Sequence, residues 1–461
     1  MQLNKTLIAA AALACGSAMA TTPAGQILIS SGASAPKGNF KAALQARCAG
    51  VLAEYTDGGT NRSSYVCAAA GTVFSATPTA TEYAAATPLN FTGTNFAEVR
   101  LNVTGGSFTA ACLMAFGTSS WASSTLCNDV NGAGLGAADT YVEPGLATVP
   151  ASTAANQSAP AGTVVGGGFM DVEPAVFADV VTAGVVPGGT NVASGYAQVF
   201  GVAASAALWN AMYDDQRNAG ILPAALCPAA PAAGMPAACW PVIGKPEMAT
   251  IMSGNQTSAL YNGAAAPLTT NGVGFLMKTA AAKAALGGTA LTYGRRADTS
   301  GTQASAQAYF LGTKTALFPV GVVACNASSG VVTIGCLSTT GNLRTLLNTA
   351  GTYALGVMST ENNQTGQNWR WLRVGGMHVG EDAFPGTAGL TNTNSAIAGQ
   401  YDFWFSLRVQ RPTAAPVTAF WNSVIAGLGA APSTVGLFRP GVGSESTFVR
   451  NPNRTHVPVS Q

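Results

Sequence analysis

The stretch "LTYGRRADTSGTQASAQAYF", residues 291–310, is the most informative part of the sequence. Charged residues make up only 9% of this 461-residue chain, yet two arginines and an aspartate fall within four positions here. Ser300, Gly301 and Thr302 follow directly, before an alanine-rich run that predicts a helix, and a serine in front of such a run is an N-cap signal. The first amides of a helix are unpaired and lie at the positive end of its dipole. The stretch therefore predicts either an anion-binding helix start or a capped helix with surface arginines.

The first twenty residues have the pattern of an export signal. Lys5 is followed by an apolar run from Leu7 to Cys15 that is too short to span a bilayer, and Ala18-Met19-Ala20 is a typical cleavage site. Processing at Cys15 as a lipoprotein is the weaker alternative, because Ala12-Leu13-Ala14 is a poor lipobox. We expect an exported protein, in the periplasm first, with secretion or the cell surface as alternatives.

The cysteines predict disulfides. Apart from Cys15 there are eight, an even number, and they fall into four pairs of neighbours along the chain. The pairs are Cys48 with Cys67, Cys112 with Cys127, Cys227 with Cys239, and Cys325 with Cys336. A metal site would need C-x-x-C clusters or nearby histidines, which the sequence lacks. We therefore expect four local disulfides in an oxidising compartment.

Composition and motifs argue against several classes of function. A net charge of +2 gives no electrostatic case for nucleic acid or for an anionic membrane surface. The chain has no G-x-x-x-x-G-K-[ST], no H-E-x-x-H and no G-x-S-x-G motif, and its only histidines are His378 and His456. Because a hydrolase needs a general base, most often histidine, we expect no enzyme and no cofactor or metal.

The order of predicted elements indicates an α/β fold. Residues 97–106 read as a strand that ends in a glycine turn, and residues 195–216 as a strand that runs into an amphipathic helix. Residues 401–410 read as a buried strand. "NWRWLRV" (368–374) reads as a strand with tryptophan on one face rather than as a surface for stacking sugars or bases. Strands that alternate with helices predict an α/β sheet.

"RRADTSGT" is similar to the signature of the periplasmic phosphate-binding proteins of bacterial ABC transporters. In that family an R-R-A-D-G-S-G-T-like segment opens a helix of the second lobe, and here Thr299 stands in place of the first glycine. Further segments resemble the family in the same order along the chain: 29–36, 166–177, 199–213, 318–322, 343–363 and 399–409.

The resemblance implies a two-lobed fold of the type 2 periplasmic binding proteins. Lobe one would take residues 21–200 and the returning segment 375–461, and lobe two would take residues 201–374. The chain between the first loop and Asp171 is longer than the family usually has. It would hold an insertion with the first two cysteine pairs.

The resemblance also implies a ligand-binding set. Carried over position by position, it consists of Ser34, Ala35, Thr104, Asp171, Arg296, Asp298, Ser300, Gly301 and Thr302. In this set Arg296 pairs with the anion and is held by Asp298, while the helix start donates hydrogen bonds. The turn "NVTGGS" (102–107) stands for the family's Ser-Ser-Gly-Gly turn, with either Thr104 or Ser107 as the serine.

Asp171 would give the site its selectivity. A carboxylate repels an anion unless that anion carries a proton to donate, which hydrogen phosphate does and sulfate does not. The expected function is capture of phosphate without chemistry, for an ABC transporter membrane component or for sensing. Two alternatives stay open: an exported structural protein that reuses the fold with a dead site, and, less favoured, a secreted phosphatase.

Overall fold

A computed structural model describes most of the chain. The described residues are 22–56, 61–117, 127, 162–172, 174–179, 189–232, 235–253, 272–312, 328–329, 331–362, 364, 366–376, 396, 400–428, 437–439, 448–449 and 459–460. The predicted signal segment, the segment 318–322, Cys325 and both histidines lie outside these ranges.

Strands and helices alternate along the described chain. The strands are β1 Ile27–Ser31, β2 Val51–Thr56, β3 Arg62–Ala68, β4 Glu98–Asn102, β5 Val164–Met170, β6 Thr190–Ser205, β7 Val242–Ile243, β8 Leu291–Arg296, β9 Ser328–Ser329, β10 Val332–Leu337, β11 Ala354–Ser359, β12 Trp369–Trp371, β13 Arg373–Val374, β14 Trp404–Arg411, β15 Leu437–Phe438, β16 Phe448–Val449 and β17 Val459–Ser460. The helices are α1 Lys37–Arg47, α2 Ala80–Ala85, α3 Thr109–Phe116, α4 Ala206–Asn218, α5 Lys245–Ser253, α6 Ala280–Leu286, α7 Gly301–Phe310, α8 Thr340–Asn348 and α9 Ala415–Leu428.

One large mixed sheet organises the molecule. Thirteen strands belong to it, in the order β2-β3-β4-β1-β5-β14-β6-β11-β8-β10-β9, with β12 and β15 also paired to β6. Strand β1 is parallel to β4 and β5, and β8 is parallel to β10 and β11. Between these two parallel groups, β14 and β6 run antiparallel to each other and to their outer neighbours β5 and β11. The predicted α/β class is confirmed.

The long strand β6 connects the two halves of the sheet. Its first part, up to Val199, pairs with β14, and from Phe200 onward it pairs with β11. The predicted boundary at residue 200 therefore falls inside a continuous strand. Helix α4 begins directly after β6 at Ala206, as the sequence of residues 195–216 predicts.

The parallel strands end toward one another. In the first group β1, β4 and β5 end at Ser31, Asn102 and Met170, and in the second β8, β10 and β11 end at Arg296, Leu337 and Ser359. The loop after β4 contacts the loop after β8, where the backbone N–H of Phe108 donates to the carbonyl of Thr299 at 2.9 Å. Loops at the carboxyl ends of parallel strands are the usual place for binding sites.

Aromatic packing fixes the helices of the first group. The Phe40 ring of α1 stacks on Trp421 of α9 with centroids 5.8 Å apart, and both rings meet Phe169 of β5 edge-on. The buried Trp421 indole N–H donates to the carbonyl of Gly166 at 2.7 Å, so this large ring buries no unpaired donor. The start of α1 is thereby held at a fixed place beside the sheet.

Three of the predicted disulfides are present. Cys48–Cys67, Cys112–Cys127 and Cys227–Cys239 close with sequence separations of 19, 15 and 12 residues. Cys336 is also disulfide-bonded, and its predicted partner lies outside the described residues. These bonds indicate an oxidising, exported environment. Within the described part of the chain, every helix is too short or too polar to cross a membrane.

Candidate functional site

The turn after β4 packs directly on the arginine segment. At Gly106, φ is +86°, and a Cβ added there would lie 2.8 Å from the Cα of Ser300 and 2.9 Å from the carbonyl oxygen of Thr299. Only glycine fits both this backbone conformation and this close approach. The turn thus holds the start of α7 against the ends of β4 and β5.

Ser107, Asp171 and Gly301 meet at this junction. The Ser107 hydroxyl donates to Asp171 Oδ2 at 2.9 Å and accepts from the backbone N–H of Asp171 at 3.2 Å. A Cβ on Gly301 would lie 2.2 Å from Ser107 Oγ and 2.7 Å from Asp171 Oδ2. The first residue of α7 therefore touches the carboxyl group at the end of β5. Of the two hydroxyls that the sequence offers in the preceding turn, it is Ser107 that contacts Asp171, while the Thr104 backbone N–H donates to Asn102 Oδ1 at 2.9 Å.

Asp171 is a buried carboxyl group with spare hydrogen-bonding capacity. Only 4% of the residue is exposed, and Oδ1 has no hydrogen-bond partner among the described residues. Burial raises the pKa of Asp171 to about 6, against the opposing effects of the Ser107 hydroxyl and the Arg296 guanidinium. An ionised carboxyl group is unfavourable when it is buried with one oxygen unpaired. A proton on Oδ1, or a hydrogen-bond donor beside it, would remove this free-energy cost.

Arg296 is the buried cation of the site. Its Nε donates to the carbonyl of Leu337 at 3.2 Å, Nη1 to Thr340 Oγ1 at 2.6 Å, and Nη2 to the carbonyl of Ser338 at 3.2 Å. Burial lowers the pKa of Arg296 to about 10, and the carboxyl groups of Asp171 and Glu361 act in the opposite direction. The guanidinium stays charged at neutral pH and is fixed in orientation.

Asp298 does not hold Arg296 as the resemblance implies. Its Oδ1 forms an ion pair with Nη2 of Arg295. Successive side chains of a strand point to opposite faces of the sheet, so Arg295 and Arg296 diverge, and the turn after β8 brings Asp298 back over Arg295. The carboxyl groups that act on Arg296 are instead those of Asp171 and Glu361.

A cavity of about 180 Å³ lies between the two groups of strand ends. It opens beside the first turns of α1 and α8, where backbone amides have no partner within the helix. Its lining consists of Ser34, Lys37, Asn61, Val103, Arg296, Thr339, Thr340, Gly341, Glu361 and Asn362. Two of the predicted ligand residues, Ser34 and Arg296, therefore line the same cavity, although they are far apart in the sequence.

The other predicted residues are not part of the lining of this cavity. Ser300 is the N-cap of α7, and its hydroxyl accepts from the backbone N–H of Gln303 at 3.4 Å. Gly301 and Thr302 are buried in the first turn of α7. Ala35 is half-buried in the loop that precedes α1.

Glu361, which sequence reasoning missed, faces the cavity from the end of β11. Its Oε1 accepts from Ser359 Oγ at 2.7 Å and from Asn362 Nδ2 at 3.2 Å, whereas Oε2 accepts from Gln198 Nε2 at 3.4 Å. Burial raises the pKa of Glu361 to about 7, Asp171 raises it further, and Arg296 lowers it. The site thus contains two carboxyl groups with raised pKa values around one guanidinium.

The missed residues carry a weak signal in the sequence. "STTGN" (338–342) has the same hydroxyl-then-glycine form as the segment before α7, and "STENN" (359–363) places an acidic residue directly after a buried strand. Both are the kind of polar segment that follows a parallel strand at a binding edge. Lys37 has no such signal, because one lysine at a helix start is ordinary.

A larger cavity, of about 710 Å³, lies along the edge strand β2. Its charged lining residues, Lys41 and Glu54, pair with each other at 2.6 Å. It therefore offers no unpaired charge to a ligand, and the smaller cavity is the better candidate site. Among the described residues no group of three or more His, Cys, Asp or Glu side chains could hold a metal ion.

No protein-family model matches the chain, and comparison with curated proteins and with solved structures finds no match. The case for a function therefore depends on the contacts within the site itself.

Proposed function

We propose that this protein is an exported binding protein that captures phosphate, or a similar tetrahedral oxyanion, without chemical conversion. The observation that carries the proposal is the cavity bounded by Arg296, whose guanidinium lies within electrostatic reach of Asp171 and Glu361. Residues from six strand ends, distant in the sequence, form or adjoin this one polar space. Such convergence is typical of a binding site and is not needed for a folded core.

The sheet supports a two-lobed arrangement of the type 2 periplasmic-binding-protein kind. In this interpretation β6 and β14 are the segments that cross between the lobes, and the cavity is the cleft. Each lobe then contributes its parallel strands and one helix start, α1 from the first and α8 from the second. Closure of the lobes around the ligand would present it to a transporter or a sensor.

Two cationic side chains of the cavity lining favour a small anion. Arg296 and Lys37 supply positive charge, and the first residues of α1 and α8 contribute to the lining. The planar guanidinium matches two oxygens of a tetrahedral oxyanion. We do not propose nucleic acid as a partner, because Arg296 and Lys37 line a cavity of only about 180 Å³.

Asp171 would give the site a preference for phosphate over sulfate. Its Oδ1 has no donor among the described residues, and a protonated ligand oxygen would supply one. Hydrogen phosphate carries a proton for this purpose, and sulfate does not. Asp171 does not line the cavity, so its contact with the ligand would require a rearrangement around the Ser107–Gly301 junction.

Isothermal titration of ligand-free protein, refolded from denaturant, tests the proposal. We expect phosphate to bind and sulfate to bind at least about tenfold more weakly. Asp171→Asn replaces an acceptor with a group that can also donate, so it should admit sulfate relatively better. Equal binding of both anions by the unchanged protein would remove Asp171 from the site.

A second candidate is an exported structural protein with a closed, inactive site. The hydrogen bonds of Arg296 favour this candidate, because all three of its side-chain nitrogens already donate to protein oxygens. In that case neither phosphate nor sulfate would release heat in the titration, before or after the Asp171→Asn change. Transfer to an ABC transporter membrane component in the periplasm belongs to the first candidate only.

A further inference from the structure

Glu361 has the geometry of a ligand contact. Its side chain lines the cavity together with Arg296 and Asn362. Oε1 already accepts two hydrogen bonds, but Oε2 accepts a single long one, from Gln198. A carboxylate oxygen can accept about two hydrogen bonds. Oε2 therefore has room for one more donor.

The charges that face Glu361 come from every side of the cavity. Asp171 at the end of β5 repels it, Arg296 at the end of β8 attracts it, and Lys37 at the start of α1 lines the same space. With both carboxyl groups ionised, Asp171, Glu361 and Arg296 sum to a charge of −1, and Lys37 also acts on Glu54, so a dianion would meet no net attraction. Adding protons to the carboxyl groups makes the site positive and supplies donors at the same time.

We propose that Glu361 is a second proton-sharing carboxyl group of the oxyanion site. The bound complex then holds two protons distributed among the ligand, Asp171 and Glu361, and phosphate is captured as the equivalent of its monoanion. This inference rests on the proposed function, because it assigns a protonation state to the ligand of that site. It differs from the role of Asp171, which accounts for one proton only.

Proton counting by titration calorimetry tests it on the unchanged protein. Phosphate is titrated at about pH 8 in two buffers with different ionisation enthalpies, and the difference in observed heat gives the protons exchanged. We expect uptake of about one proton per phosphate, and affinity that falls about tenfold per pH unit between about pH 7.5 and 9. At about pH 6 the sign should reverse to net release of about one proton, because free phosphate is then mostly the monoanion and Glu361 is largely protonated before the complex forms.

Glu361→Gln is the matching variant, with Glu247→Gln as its control. Glu247 pairs with Lys278 at 2.7 Å on α5 and does not line the cavity. Glu361→Gln should abolish the proton uptake at about pH 8 while phosphate still binds, whereas Glu247→Gln should leave the uptake unchanged.

The possible failures are distinguishable. Phosphate binding without proton uptake by the unchanged protein would overturn the role of Glu361 and leave the proposed function intact. Undiminished uptake in a folded Glu361→Gln protein would likewise assign the proton elsewhere. Absence of any phosphate binding would overturn both proposals at once.

Discussion

The hydroxyl of Ser107 donates to Asp171 Oδ2 at 2.9 Å and accepts from the backbone N–H of the same aspartate at 3.2 Å. This double contact joins the turn after β4 to the end of β5 across 64 positions of sequence. It also places Asp171 under the first residue of α7, where Oδ1 is left without a partner among the described residues. We expect the stability of this junction, and in the proposed function the anion preference, to depend on this carboxyl group.

Arg296 should matter for binding far more than Arg295. Charge-assisted hydrogen bonds contribute about 1.5–3 kcal/mol each, so Arg296→Ala should weaken phosphate binding at least about tenfold. Arg295→Ala is the control, because Arg295 pairs with Asp298 and does not line the cavity. Calorimetry on both variants, with circular dichroism to verify folding, gives the comparison. Equal and negligible effects would make the segment an ordinary capped helix.

Gly301 should not tolerate a side chain. A Cβ at this position would lie 2.2 Å from Ser107 Oγ and 2.7 Å from the Cβ of Asp171, so Gly301→Ala must push the two strand groups apart. Overpacking of this kind costs about 1–3 kcal/mol. The matched control is Gly335→Ala in β10, where the nearest atoms lie 3.9 Å away. Urea midpoints of the two variants should separate clearly, and identical midpoints would show that the junction is loose.

The stability of the ligand-free protein should fall as pH rises through the titration of Asp171. Its pKa is about 6 in the folded protein against an ordinary 3.8, so the stabilising contribution is complete at low pH, where both states are protonated. Between these values the unfolded chain loses its proton first, and about 3 kcal/mol of unfolding free energy is lost by about pH 7. Asp171→Asn should flatten this part of the profile.

Urea denaturation of both proteins between about pH 4 and 8 measures the difference directly. Because Glu361 also has a raised pKa, some decline will persist in the Asp171→Asn variant up to about pH 7. Parallel profiles for the two proteins would show that the carboxyl group is solvated in solution.

The disulfides should be local and complete. Peptide mapping under non-reducing conditions should return the three linked pairs seen in the structure, together with Cys325–Cys336. Loops of this size contribute roughly 3 kcal/mol each by the chain-entropy estimate, so reduction should lower the unfolding midpoint markedly. Two or more free thiols in the denatured, unreduced protein would contradict the pairing.

Much of the local structure could be predicted from the sequence. The strand in residues 97–106, the strand-to-helix passage in 195–216 and the buried strand in 401–410 correspond to β4, to β6 with α4, and to β14. "NWRWLRV" contains β12, with Trp369 and Trp371 both buried. Hydrophobic periodicity and cysteine spacing are local signals, and local signals decide where elements begin and end.

The partners within the site could not be predicted in the same way. The alternation of side chains in β8, together with the turn that follows, decides that Asp298 meets Arg295, and the docking of a distant turn decides that Ser107 meets Asp171. The cavity adds Lys37 and Glu361, to which the sequence analysis assigned no role. Such residues become neighbours only when the carboxyl ends of two groups of parallel strands are brought face to face. The sequence by itself determined several of the elements, three of the four predicted disulfide pairs and the place of the arginine segment before a helix. Tertiary structure decided which carboxyl groups surround Arg296 and how strongly burial raises their pKa values, because burial and long-range contact exist only in the folded chain.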